Sequence, residues 1–217
     1  MKKINFLLLS ILFSVSVFSQ SEKYMKTMEA RVVNVETTRT PDDLKELANA
    51  FERIADAEKN QWHPYYYAAL ATVNVGYVSM TPQGGDAKII DPIADKAESL
   101  LKKAEALQPA NSDIFVIKKM IASLRMMADP MNRYMKYGPE AQQALEAAKK
   151  LNPDNPRIYM LEGQDKFYTP EQFGGSKEEA KKLFALAMQK FENEKPASSI
   201  DPSWVRATTE YFIKQVN

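Results

Sequence analysis

Cysteine is missing from the whole chain, and histidine occurs once, at His63. The first absence excludes disulfides, thiolate metal sites and a lipid-modified cysteine behind an export signal. The second leaves nucleophilic catalysis without its usual base and metal chemistry without its commonest nitrogen ligand. His63 stands in Trp62-His63-Pro64 at the entry to a helical segment, where an exposed or hydrogen-bonded structural histidine is expected. An excess of positive charge is also missing: 29 Lys and Arg face 28 Asp and Glu, for a formal charge of +1. Nothing in that balance steers the chain toward nucleic acid. Neither a GxxxxGK(S/T) nor a GxGxxG spacing occurs, so the Gly-Gly pairs Gly84-Gly85 and Gly174-Gly175 read as turns. The acidic pairs Asp42-Asp43 and Glu178-Glu179 fall in first helical turns, where the helix dipole favours them. A catalytic site, a metal site and a cofactor are therefore not expected, and the protein is read as a non-enzyme.

At the amino terminus Lys2 and Lys3 precede an apolar run from Phe6 to Phe18, which ends in Ser19 and Gln20. This pattern predicts a secretory signal over 1–20, and the run is shorter than the roughly 20 residues a bilayer span needs. The mature chain, 21–217, is expected to be exported to the periplasm or beyond, with no membrane span and no lipid anchor. Losing the two lysines takes its formal charge to about −1.

Beyond the signal there is no alternation of the β type; apolar residues recur at spacings of three and four, the helical period. The spacing predicts an all-α chain with helices over 22–38, 41–58, 64–79, 92–107, 112–127, 139–151, 156–168, 176–193 and 202–215. Thr40-Pro41, Asp91-Pro92, Asn155-Pro156 and Asp201-Pro202 each place a capping oxygen before a proline whose missing N–H costs the first turn nothing. Ser176 with Glu179 forms a capping box.

Three of these helices share a pattern: Ala97-x3-Leu101-x2-Ala104, Ala141-x3-Leu145-x2-Ala148 and Ala180-x3-Phe184-x2-Ala187, two of them followed by Pro109 or Pro153. A weaker copy is Ala50-x3-Ile54-x2-Ala57. Small residues one turn either side of a large one let two helices approach closely. The pattern resembles the second helix of the tetratricopeptide repeat, and Tyr67 with Leu70 and Ala71, Phe115, and Tyr159 with Gly163 resemble positions of its first helix. The resemblance implies antiparallel hairpins stacked as a short, TPR-like right-handed α-solenoid from about residue 41 onward. The family repeat is about 34 residues; the first helices here recur at spacings in the mid-forties. The excess is expected in long loops between the two helices of each hairpin, at 80–86, 129–139 and 168–175, the first and third sharing Thr-Pro and Gly-Gly.

Binding is the expected business of such an array. The resemblance implies a groove lined by first helices, and its groove positions select Tyr65, Ala68 and Thr72, then Asp113, Val116 and Met120, then Arg157, Met160, Gln164, Phe167 and Tyr168. Of these, Tyr65, Thr72, Asp113, Met120, Arg157, Gln164 and Tyr168 are the candidate contacts for a protein or peptide partner, held by a monomeric scaffold. The alternative is a small-molecule or solute-binding component of an envelope uptake system, with the long loops over a pocket. The loop from Pro170 to Gly175 resembles a segment of exported helical-repeat subunits that accompany bacterial uptake systems. Three consecutive tyrosines, Tyr65 to Tyr67, cannot all face one core across 100° steps, so at least one is expected at the surface. The cluster of Met120, Met126, Met127, Met131 and Met135 is expected to fill an irregular core. The repeated alanines generate a stability prediction: Ala104→Leu and Ala148→Leu overpack their helix crossings and cost about 1–3 kcal/mol each, measured as a lower midpoint in urea unfolding.

Overall fold

The computed structural model describes residues 22–81 and 84–216, and the signal expected over 1–20 lies outside them. The described residues form nine α-helices and no strand: α1 (Glu22–Val32), α2 (Pro41–Ala57), α3 (Trp62–Val78), α4 (Ala87–Leu107), α5 (Ser112–Met127), α6 (Pro130–Leu151), α7 (Pro156–Tyr168), α8 (Lys177–Asn193) and α9 (Arg206–Gln215). The chain is all-α.

Local chemistry sets most of the boundaries. Thr40 Oγ1 accepts from the Asp43 N–H at 3.2 Å, Asn155 Oδ1 from Arg157 at 3.1 Å and Ser176 Oγ from Glu179 at 3.1 Å, each satisfying an orphan donor of the first turn. Two expected starts are corrected. Helix α4 begins at Ala87 behind Asp86, whose carboxylate caps Lys88 N at 2.8 Å, so Pro92 lies inside the helix rather than at its head. After Asp201-Pro202 the chain runs on without helix until Arg206.

The long loops are corrected as well. In the middle hairpin the extra residues are helical: α6 starts at Asp129-Pro130 and carries Pro139 within it. The first and third hairpins do turn through loops, and both use one device. Gly84 (φ +112°) and Gly174 (φ +91°) occupy the left-handed region that glycine enters at no steric cost. In the third loop the next residue, Gly175, packs so tightly on the Thr169 carbonyl that no Cβ would fit.

Short connections fold α3 onto α4, α5 onto α6 and α7 onto α8, while α2 packs on α3, and α3, α5 and α7 touch in succession. The repeated alanines Ala97, Ala104, Ala141, Ala148, Ala180 and Ala187 are all buried, with Leu101, Leu145 and Phe184 between them. The weak copy in α2 is out of register: Ala50 is half-buried and Ala57 exposed, and Ala48 and Ala55 take the buried positions. Gly163 serves the same purpose in α7, since a Cβ there would fall 2.5 Å from the Phe184 ring.

Helix α3 is buried around its whole circumference from His63 to Val73. Its remaining face is covered by the segment 194–205, which crosses back from the end of α8. Tyr67 donates to the Ile200 carbonyl at 2.9 Å, Trp204 Nε1 donates to the Tyr66 hydroxyl at 2.7 Å, and His63 Nε2 meets Asp201 at 2.8 Å. Arg157, 2% exposed, clamps the near end: its Nε donates to Asp113 at 2.6 Å and its terminal nitrogens to Glu194. Glu36, between α1 and α2, sits at the far end against the backbone N–H groups of Val205, Ala207 and Thr208. Removing the buried cation strands two carboxylates beside each other. Arg157→Leu is therefore expected to cost about 3–5 kcal/mol, read as a lowered urea midpoint, with early loss of the Trp204 fluorescence signature.

Candidate functional site

The groove expected along α3, α5 and α7 is not open. Tyr65, Thr72, Met120 and Arg157 are buried, as are Ala68, Val116 and Met160. Tyr65 donates to the Ala55 carbonyl at 3.3 Å, Thr72 to Ala68 at 2.7 Å, and Asp113 is half-buried against Arg157. Gln164 is half-buried, and Tyr168, 68% exposed, is the one candidate that stands in solvent. Tyr65 is tied back to α2 and Thr72 to its own helix, while Tyr66, Tyr67 and Arg157 are covered by the returning segment 194–205. The expectation for the tyrosines is corrected as well. All three of Tyr65, Tyr66 and Tyr67 are buried, Tyr65 against α2 and Tyr66 and Tyr67 beneath the returning segment.

What is open lies elsewhere. One cleft of about 380 Å³ runs between α4 and α6 across α5. Its floor includes Leu101, Phe115, Ile121 and Ala144, and Lys102, Lys118 and Arg125 stand on its rim. Those cations are already committed: Lys118 binds Glu105, and Arg125 reaches Asp95 at 2.7 Å and Glu98 at 2.9 Å. A second cleft, about 520 Å³, separates α6 from α7 and α8 and is lined almost wholly by charged and polar groups, with Leu183 the apolar exception.

Large apolar side chains are exposed along the edge where α3 turns into α4, α5 into α6 and α7 into α8. Val78, Ile89, Met127, Met131, Tyr134, Met135, Tyr168 and Phe173 all lie within a few residues of those turns. Met131 and Met135 are 93% and 83% exposed, which corrects the core-filling role for those two, while Met120 does lie in the core; the exposed pair rides on the part of α6 that extends beyond the packed hairpin. The first three turns of α6 bury no side chain and are tied to α4 by Arg133, which donates to both oxygens of Asp91 at 2.6 and 2.8 Å.

At the third turn the exposed side chains belong to a ring cluster. Phe212 is buried and stacks on Phe184 at 5.0 Å between centroids. Phe167, Tyr168 and Tyr211 stand edge-on around it at 5.5, 5.8 and 5.5 Å. The Lys177 ammonium lies 5.9 Å from the Phe167 ring. Tyr168 holds its proton more tightly than an ordinary phenol, through partial burial and the neighbouring charge that Tyr211 would bear if ionised. The sequence placed Tyr168 and Tyr211 in separate helices and offered no signal that Phe212 would gather them.

Among the described residues no group of three or more His, Asp or Glu could hold a metal ion, and no helix is long and apolar enough to cross a membrane. No protein-family model matches the chain, and no match was found among curated proteins. Among solved structures the chain is similar to the HusA haemophore from Porphyromonas gingivalis, with a TM-score of 0.78 and 29% sequence identity, over 91% of this chain and 94% of that one.

His63 gives the returning segment a pH dependence. Burial pushes its imidazole below the ordinary 6.5, outweighing the hydrogen bond and charge of Asp201. Burial alone would raise Asp201, but the hydrogen bond from His63 and those from the Ser198 and Ala197 backbone bring it below its ordinary 3.8. A group whose folded value is depressed contributes its stability in full above its unfolded value and loses it as pH falls through the folded one. Stability is therefore expected to decline as pH drops below about 6.5, with a further loss below about 4. Thermal melts of His63→Gln should be flatter than those of the natural chain between about pH 7 and about pH 5.

Proposed function

We propose that this protein is an exported haem-binding component of an envelope uptake system. The observation that carries the reading is the likeness to a haemophore along nearly the full length of both chains, at an identity where shared ancestry is the natural explanation. The chemistry on the surface supports it. A haem is a flat, mostly apolar ring with carboxylates at one edge, and it suits exposed aromatic side chains with a nearby cation better than it suits a charged cleft. The signal over 1–20 fits a protein that meets its ligand outside the cytoplasm. In this reading the chain is a monomeric carrier that turns nothing over.

The array of hairpins is proposed to be a short, right-handed, TPR-like solenoid. The buried alanines at each crossing and the succession of α3, α5 and α7 support that arrangement. A peptide-holding role has less to rest on, since the returning segment 194–205 occupies the face on which such a partner would lie.

The direct test is titration of ferric haem into the mature chain, followed through the haem absorption. A saturable spectral change at about one haem per chain, with a dissociation constant near 1 µM or below (about −8 kcal/mol), is the expected result. Spectra that equal the sum of free haem and protein at every ratio would rule the reading out.

A further inference from the structure

We infer that the thioethers of Met131 and Met135 form a site for a soft monovalent metal ion, Cu(I), on the exposed face of the first turns of α6. The site needs no haem and stands apart from the function proposed above.

The donors the molecule offers narrow the choice of metal. Cysteine is absent. The single imidazole is spent: His63 is buried, stacks on Trp62 and is bonded to Asp201. Among the described residues no group of three or more His, Asp or Glu could hold a metal ion. Zinc and hard cations such as calcium are thus left without the ligand sets they favour. Thioether sulfur is the soft donor that remains, and soft ligands of this kind select Cu(I). A thioether also has no proton to shed, so it is available to a metal at any pH at which the chain is folded.

The methionines are sorted by exposure. Met28, Met120 and Met160 lie in the core, Met25, Met80 and Met188 pack against it, and Met126 is half-buried. The exposed ones are Met127, Met131 and Met135, which fall at intervals of four residues. Met127 closes α5, while Met131 and Met135 sit one turn apart on α6. Residues four apart on a helix share a face, with Cβ atoms about 5–6 Å from each other. Two flexible thioether side chains at that separation can bring both sulfur atoms to one small ion. Because the pair is exposed, no core packing has to be broken for the two to converge. Their helix is held in place by other residues: Arg133 donates to both oxygens of Asp91 on α4, and Asp129 caps the first turn through Asn132. The same contacts set the local charge. Arg133 is paired with Asp91, the Lys136 ammonium is drawn over the Tyr137 ring at 4.7 Å, and the Asp129 carboxylate offsets the positive end of the helix dipole. A monovalent ion meets less repulsion there than a divalent one would. Binding leaves the copper in its monovalent state and gives it two sulfur lone pairs, so no electron or proton is transferred.

The experiment replaces the sulfur and keeps the apolar surface, since leucine would serve as well as methionine if this face merely met an apolar partner. Cu(I), held reduced by ascorbate and in competition with a chromophoric chelator, is titrated into the haem-free mature chain and into Met131→Leu/Met135→Leu. The natural chain is expected to take up about one Cu(I). The variant is expected to keep its circular dichroism and melting temperature, because neither side chain is packed, and to lose about tenfold or more in Cu(I) affinity. Ag(I), a redox-inert stand-in, is followed through the methionine methyl resonances of the natural chain, assigned with the single substitutions Met131→Leu and Met135→Leu. The Met131 and Met135 signals are expected to shift, and Zn(II) is expected not to reverse the shift. Equal Cu(I) affinity in the two proteins, Ag(I) shifts confined to other methionines, or failure of the natural chain to draw Cu(I) from the chelator overturns the inference.

Discussion

Helix α3 has no polar stripe. Its residues from His63 to Val73 are buried on every side, and a helix apolar all round must be enclosed. Neighbouring helices cover part of it: α2 and α4 take two sides and α5 a third. The last side is closed by the segment 194–205, and that closure requires the chain to travel back from α8 across the fold. Three polar groups the segment brings inward have mates, Trp204 with Tyr66, the Ile200 carbonyl with Tyr67 and Asp201 with His63, while the Ser198 hydroxyl is buried without one. Without these pairs, burying the hydroxyls and the carbonyl would cost more than the apolar contacts return.

This enclosure moves function to a different part of the molecule. An array of helical hairpins ordinarily offers its inner face to a ligand, but here that face is core. Arg157 shows the change most clearly. As an exposed groove residue it would read charge on a partner; buried between Asp113 and Glu194 it fastens the protein to itself. The exposed apolar surface is instead gathered along the turns between paired helices, where side chains can be presented without opening the core. Loops and turns on a rigid scaffold are common sites of binding for that reason.

Much of the helical framework was legible because it rests on local chemistry. The caps at Thr40, Asn155 and Ser176 need no tertiary information, and neither does the repeated alanine spacing, since any helix crossing at short range demands it. Errors came where a local signal was overridden. Asp91-Pro92 looks like a helix start, but Asp86 caps an earlier turn, and Pro92 falls inside the helix, where its missing N–H forgoes one backbone hydrogen bond. In α2 the alanines at 48 and 55 carry the same spacing as those at 50 and 57, and only the direction of the core chooses between them. The candidate groove was illegible for a further reason. Whether Arg157 faces water depends on a segment that begins only at Glu194, which has no helical period to announce where it lies.

The ring cluster at the third turn follows from the same logic of distance. Tyr168 ends one helix and Tyr211 lies in another, and only the packing of Phe212 on Phe184 brings them together. A terminal helix that merely closed the array would turn its aromatic residues inward, as Phe212 does. Tyr211 points the other way and leaves more than half its surface in water, beside a second exposed tyrosine and a turn that holds Phe173 outward. Exposing three large rings together forfeits the stabilisation their burial would supply. A chain that encloses all of α3 has the means to bury them. Under the proposed haem-binding function, leaving them outside suits a flat apolar ligand.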